Sequence, residues 1–349
     1  MLKRLQEFYP SPIGGGFVFL AVLMIYSLTP LAIASADDSI RPDSLTFPVD
    51  CSLSETCVIQ NYVDRDPGPG IADFTCGPLT YNGHKGTDIR LIDDAAMHRG
   101  VNVIAAFSGT VAGVRNGMPD VRIGAPHAID VTGRECGNRV AIRRSDGVTV
   151  NYCHLKRDSI LVADGDEVTS GDIIAQVGLS GRTQFPHLHF SVSNPAGAIL
   201  DPFDTRLQDA TCRFRDRRDL WKRLTSQDYQ PGGLVNAGFS DAIPDFSAVQ
   251  AGTADQSDTL DETAPALVVW ANFFGVRRND IIELRLIAPD GEIIVQSAHK
   301  MSRTRAQQFR ASGRKRRGQA WLKGRYTAVT VLRRELDIIS KQEHTLLID

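Results

Sequence analysis

Residues 185–190 read "FPHLHF", two histidines one residue apart in an apolar, proline-led run. Alternate residues of a strand face the same side. His187 and His189 therefore project from one surface, about 6–7 Å apart along the chain. A metal site or an acid–base pair explains two imidazoles on one face. Two half-exposed histidines on an edge strand are the alternative at this point.

The flanking sequence is strand-like and punctuated by glycine. "VNVIAAFSGTVAGV" (101–114) places β-branched residues around a Gly109 turn, and "NRVAIRRSDGVTVNYCHL" (138–155) reads as a hairpin turning at Asp146-Gly147. Residues 115–137 form a long polar connection, the kind of loop that walls a site on a β scaffold. "RFRDRRDLWKRL" (213–224) is the best helix candidate, and a Gly/Asp/Ser/Thr-rich linker follows it. From residue 265 several strands, with a turn at Pro289-Asp290-Gly291, predict a smaller immunoglobulin-like β-sandwich. The expected organisation is a signal peptide (1–36), an irregular segment (37–75), an antiparallel β domain (76–212), a helix and linker (213–264) and the sandwich (265–349).

The chain has 349 residues and a formal net charge of −2, so charge gives no case for nucleic-acid binding. Its N-terminus has Lys3 and Arg4, an apolar run Phe17–Tyr26, and Ala34-Ser35-Ala36. That order predicts a secretory signal cleaved after Ala36; an uncleaved anchor, and so a membrane tether, is the alternative. Either way the body of the protein is exported to the periplasm or cell envelope. Six cysteines, with no CxxC pair, fit disulfides better than a zinc–thiolate site. Cys136–Cys153 bracket the hairpin, Cys51–Cys57 are near in sequence, and Cys76–Cys212 remain.

Two further motifs complete the chemistry. "GHKGTD" supplies His84 and Asp88, and "NYCHL" supplies His154. On a straight strand His84 and Asp88 would lie about 13 Å apart. Gly83 and Gly86 favour a bent loop that folds both inward. A hydrolytic zinc takes three protein ligands and keeps a position open for water. Tyr152 is expected to point away from His154 and pack in the core. His98, His127, His299 and His344 are read as surface residues, with His127 near the long loop able to touch substrate. "GRKRRG" (313–318) is read as a solvated basic loop, with contact to an anionic polymer or lipid headgroup as the alternative.

In order, "HKGTD", "YCHL" and "HLHF" resemble the motifs of the lysostaphin-type (LytM-type) zinc endopeptidases of the cell wall. "GTVAGV" looks like that family's first core hairpin, and 164–190 like its glycine-spaced approach to the last motif. The resemblance covers residues 76–204. It implies one Zn²⁺ per chain held by His84, Asp88 and His189, with His154 and His187 as catalytic histidines. It also implies a peptidoglycan peptide as substrate; no partner is legible for the C-terminal domain. An arrangement in which His187 and His189 both bind the metal stays open. So does a non-catalytic peptidoglycan-binding or hydrolase-regulating module on the same fold, although such modules lose ligands and all five residues are present here.

Overall fold

The computed structural model describes residues 45–206, 219–224, 228–254 and 258–349. The expected signal segment, Cys212 and residues 213–218 of the expected helix lie outside these. Among the described residues no helix is long and apolar enough to cross a membrane.

The N-terminal part carries β1 (Cys57–Asn61), β2 (Thr87–Leu91), β3 (Asn102–Ile104), β4 (Gly109–Arg115), β5 (Asn138–Arg143), β6 (Thr149–Leu155), β7 (Glu167–Val168), β8 (Ile173–Gln176), β9 (His187–Ser193) and β10 (Ile199–Leu200). One antiparallel sheet runs β1-β2-β9-β6-β5-β4-β7, with β10 beside β9, and β3 pairs separately with β8. Strand alternation builds its core. Leu188, Phe190 and Val192 of β9, Val150 and Tyr152 of β6, and Val140 and Ile142 of β5 are each at most 1% exposed. Burying each large apolar side chain contributes roughly 1.5–3 kcal/mol. The other face of β9 is left to His187 and His189. The hairpin turn at Asp146-Gly147 sets the register Ile142↔Val150 and Val140↔Tyr152.

The C-terminal part carries β11 (Gly233–Ser240), β12 (Thr259–Leu260), β13 (Ala266–Val276), β14 (Ile281–Ile287), β15 (Ile293–Lys300), β16 (Arg305–Lys315), β17 (Gly324–Arg334) and β18 (Asp337–Ile348). They form two sheets, β11-β13-β16 and β12-β18-β17-β14-β15. Val269 and Phe273 of the first share a core with Leu284, Leu332 and Leu346 of the second. β13 is buried along its whole length, because its outer face is covered as well. Trp270 packs with Val249 of a short helix (Phe246–Ala251), and Phe274 and Val235 join the core of the N-terminal sheet.

The structure departs from the sequence reading in several places, one of them the expected basic loop 313–318, whose first three residues end β16 and pair with β13. "GTVAGV" is one strand, β4, paired with β5 and β7, while β3 pairs with β8. A Cβ on Gly109 would lie 2.4 Å from the Arg143 carbonyl oxygen, so that glycine serves close strand approach rather than a turn. The irregular segment 37–75 holds β1, which pairs with β2 at the edge of the sheet. The linker within 213–264 holds β11, paired with β13 throughout. Its small residues hid a strand, and Gly238 needs to be small because a Cβ there would meet the Trp270 ring at 2.5 Å. Finally, Trp221 is not helical: it bridges to Leu45 and is 2% exposed.

Cys51–Cys57 and Cys136–Cys153 are both disulfide-bonded. The third expected pair involves Cys212, outside the described residues.

Candidate active site

The five singled-out residues converge on the polar face of the N-terminal sheet. Asp88 on β2 and His189 on β9 are register partners, as are Arg90 and His187 two residues along. His84 precedes β2 in a loop. That loop is held by the Asp64 carboxylate, which accepts from Gly83 N at 2.9 Å, and by Asp64 N donating to His84 O at 2.9 Å. Gly83 takes φ +76°, a value glycine adopts freely. Gly86 is the close-approach residue, since a Cβ there would lie 2.7 Å from His189 Nε2.

His84 Nε2 lies 3.1 Å from Asp88 Oδ1 and 3.2 Å from His189 Nδ1, and His189 Nδ1 lies 2.8 Å from Asp88 Oδ1. Tetrahedral zinc with bonds of about 2.0–2.2 Å needs donor atoms about 3.3 Å apart. Two imidazoles and one carboxylate are suitable donors, so the residues fit the ion. Supporting contacts fix them. His84 Nδ1 donates to the Tyr62 carbonyl oxygen at 2.7 Å, leaving Nε2 with its lone pair towards the centre. Asn61 Nδ2 donates to the other Asp88 oxygen at 3.0 Å. Such partners orient ligands and set their basicity.

His187 and His154 stand beside this triad. His187 Nδ1 faces Thr183 Oγ1 and the Phe185 carbonyl oxygen, each at 2.9 Å. The threonine hydroxyl donates to that same carbonyl at 2.8 Å, so the imidazole must be the donor to both oxygens. His154 Nδ1 likewise donates to the Ser180 carbonyl oxygen at 2.7 Å. Both rings then present an Nε2 lone pair. His187 Nε2 is 3.6 Å from Asp88 Oδ1, and the two rings lie 4.6 Å apart between centroids.

His154 reaches the cleft by breaking strand alternation. Residues 152 and 154 would ordinarily share a face, yet Tyr152 is in the core, its hydroxyl accepting from Ala106 N at 2.8 Å. His154 has φ +61°, and the β5–β6 register shifts between Asn138 and Val140. The left-handed backbone turns His154 onto the face of Cys153. A non-glycine residue held there is strained by about 1–3 kcal/mol, a cost that collects at functional sites. The expectation that Tyr152 points away from His154 holds, for this reason and not through alternation.

Burial works against the Asp88 carboxylate, but the imidazoles of His84 and His187 and hydrogen bonds from His189 and His84 outweigh it and hold the group well below the usual carboxylate range. Burial depresses His84 too, and Asp88 overcomes that, so its imidazole binds a proton more readily than usual. The cluster therefore draws positive charge. Burial pushes His187 down, and pushes His154 further with help from His187 and His189. Both are neutral at pH 7.

The cleft around them encloses about 680 Å³. Its walls include Ile123 and Glu135 of the long loop, the Cys136–Cys153 disulfide, Arg182, and Tyr81, whose ring lies 4.4 Å from that of His84. Tyr81, Asn61 and Thr183 escaped the sequence reading. Their signals are spatial, because each sits in an irregular stretch or a strand hidden in one. His98, His127 and His299 are exposed and His344 is half-buried.

Residues 82–202 match the model of peptidase family M23. Over 119 residues the chain is 34% identical to a DD-carboxypeptidase/endopeptidase Mpg of Neisseria meningitidis, covering 34% of this chain and 26% of that protein. Over 123 residues it is 33% identical to outer membrane antigenic lipoprotein B of Haemophilus influenzae, covering 35% of this chain and 24% of that one. The chain thus spans about a quarter of the length of these curated relatives. Among solved structures, the catalytic domain of lysostaphin from Staphylococcus simulans aligns over 36% of this chain and 82% of its own, at 26% identity and a TM-score of 0.27.

Proposed function

We propose that this chain, which carries a peptidase M23 domain over residues 82–202, is a zinc-dependent endopeptidase that hydrolyses peptide bonds of peptidoglycan in the cell envelope. One observation carries the reading. Three metal-competent atoms lie 2.8–3.2 Å apart, and two further imidazoles with free Nε2 atoms line the same cleft. His84, Asp88 and His189 would hold the ion.

A zinc ion there supplies Lewis acidity, lowering the pKa of an attacking water towards ~7 and polarising the scissile carbonyl. The chain's own residues do the proton work. His187, neutral and fixed through Nδ1, takes the water's proton on Nε2 and returns it to the leaving amine. His154 is also an Nε2 acceptor in the resting protein. With a single proton in play, His154 would donate to the oxyanion of the tetrahedral intermediate only while it, and not His187, carries the proton taken from the water, which then passes to the leaving amine. Tyr81 and the long loop would position the peptide. The two disulfides accord with an exported protein.

The test is product analysis after the zinc-loaded chain digests purified sacculi. New amino and carboxyl termini within stem or cross-link peptides are expected. Intact peptides after prolonged digestion would sink the reading.

A further inference from the structure

The C-terminal sandwich meets the N-terminal sheet at the cleft itself. β1 carries a bulge between Ile59 and Asn61, which takes Gln60 out of the strand's alternation. Gln60 is 1% exposed, and its Nε2 donates to the Ala306 carbonyl oxygen, at the start of β16, at 2.8 Å. Its Oε1 accepts from Arg90 Nη1 at 2.9 Å, and the same nitrogen donates to Gln307 Oε1 at 3.1 Å. The Arg90 guanidinium lies over the Phe185 ring, 4.4 Å from its centroid. Phe185 in turn flanks His187, with ring centroids 5.0 Å apart and its carbonyl oxygen on His187 Nδ1. Ala306 itself lines the cleft.

A buried guanidinium is costly unless its donors are satisfied. Arg90, 2% exposed, relies on two neutral amide oxygens and an aromatic face. Its Nε has no hydrogen-bond partner among the described residues. One of the two oxygens belongs to the sandwich. Removing it frees the guanidinium to move, and the guanidinium rests on the segment that fixes His187.

We propose that the C-terminal sandwich is a working part of the cleft. Gln307 is a positioning residue that acts on His187 through Arg90 and Phe185, and Ala306 is a wall residue that limits what the cleft admits. This deepens the peptidase reading and rests on it for the role of His187.

Three variants of the full, zinc-loaded chain test it. Gln307→Leu keeps bulk and removes the acceptor; Gln307→Glu keeps an acceptor and adds an ionic partner; Ala306→Trp narrows the cleft without touching Arg90. Amide hydrogen exchange over residues 183–187 needs no substrate. It should speed up about fivefold or more in Gln307→Leu and stay slow in Gln307→Glu. On cross-linked muropeptides Gln307→Leu should lower kcat about tenfold with KM nearly unchanged, within the range known for slight misplacement of catalytic groups. Gln307→Glu should recover that loss. Ala306→Trp should raise KM about tenfold with kcat largely kept. Wild-type exchange and kinetics in folded Gln307→Leu, together with wild-type KM in Ala306→Trp, would overturn the proposal. If Gln307→Leu does not fold, Gln307→Asn, one methylene shorter, asks the same question. If the wild type cuts no muropeptide, the peptidase reading fails while the exchange arm still decides the positioning role.

Discussion

β9 and β14 are built alike and used differently. Each alternates buried and less buried residues, and each gives one face to a hydrophobic core. The outer face of β14 meets water and carries Glu283, paired with Arg333 at 2.7 Å on a part-exposed surface. The outer face of β9 is covered at its start, where His187 is 5% exposed, while His189, Ser191 and Ser193 stay part-exposed. Water can reach Glu283 on β14 beside its arginine partner; at His187 on β9 protein groups must satisfy the ring. A strand pattern therefore tells which residues leave the core, but the cover above them decides whether they become surface or site.

The sharpest break between the two faces should come from His189→Ala. It removes one of three ligands, so bound zinc should fall from about one per chain to near zero and activity by more than about 10⁴-fold. Elemental analysis decides it, and full zinc retention would refute the ligand assignment. His187→Ala and His154→Ala should each cost about 10²–10⁴ in rate. Zinc affinity should change only about tenfold or somewhat more, as for outer contacts. Complete zinc loss in His187→Ala would instead identify two ligands on β9.

The Cys136–Cys153 bridge walls the cleft on one side. Replacing both residues by alanine should cost about 2–4 kcal/mol in stability, read from chemical denaturation. A change below about 0.5 kcal/mol would mean the hairpin needs no bridge.

Burial depresses the His154 and His187 pKa values below the ordinary ~6.5. Both rings are free bases above that value, and protonation at lower pH removes the acceptor. The rate of the zinc-loaded enzyme should thus be level near pH 7 and fall, about tenfold per unit or more, only at a pH below the ordinary imidazole value of ~6.5. The same shift means the unfolded chain binds more protons near pH 6. These two groups therefore add stability that is present above ~6.5 and lost as pH falls through their folded values. An acid limb centred above pH 7 would contradict both statements. Smallest of all, Glu283→Ala on β14 should change stability by less than about 1 kcal/mol and leave turnover at the wild-type rate.

The sequence showed the histidine-bearing face of β9 because two histidines at strand spacing between core residues have few readings. His84 and Asp88 were legible through the glycines that bend their loop. The position of His154 was legible but its route was not, since no residue in "NYCHL" announces a left-handed histidine. β1 and β11 were hidden for a different reason. Asn61 and Gln60 are polar because they serve Asp88 and Arg90, and Gly238 of β11 fits against the Trp270 ring. Both needs come from distant parts of the chain. The docking of the sandwich through Gln307 has no local signal at all.

The place of β9 in the sheet has a kinetic consequence. It lies between β2 and β6, yet it is the last of the three to be synthesised, and Asp88 and His189 are 101 residues apart. Closing so long a loop is slow relative to forming the β5–β6 hairpin. A chain truncated before residue 187 holds two of the three ligands and none of the strand that sets their spacing. If the three residues hold zinc as proposed, high-affinity capture of the ion would have to follow the insertion of this central strand. On that reading a nascent chain still lacking the strand would neither compete for zinc nor cut a bond.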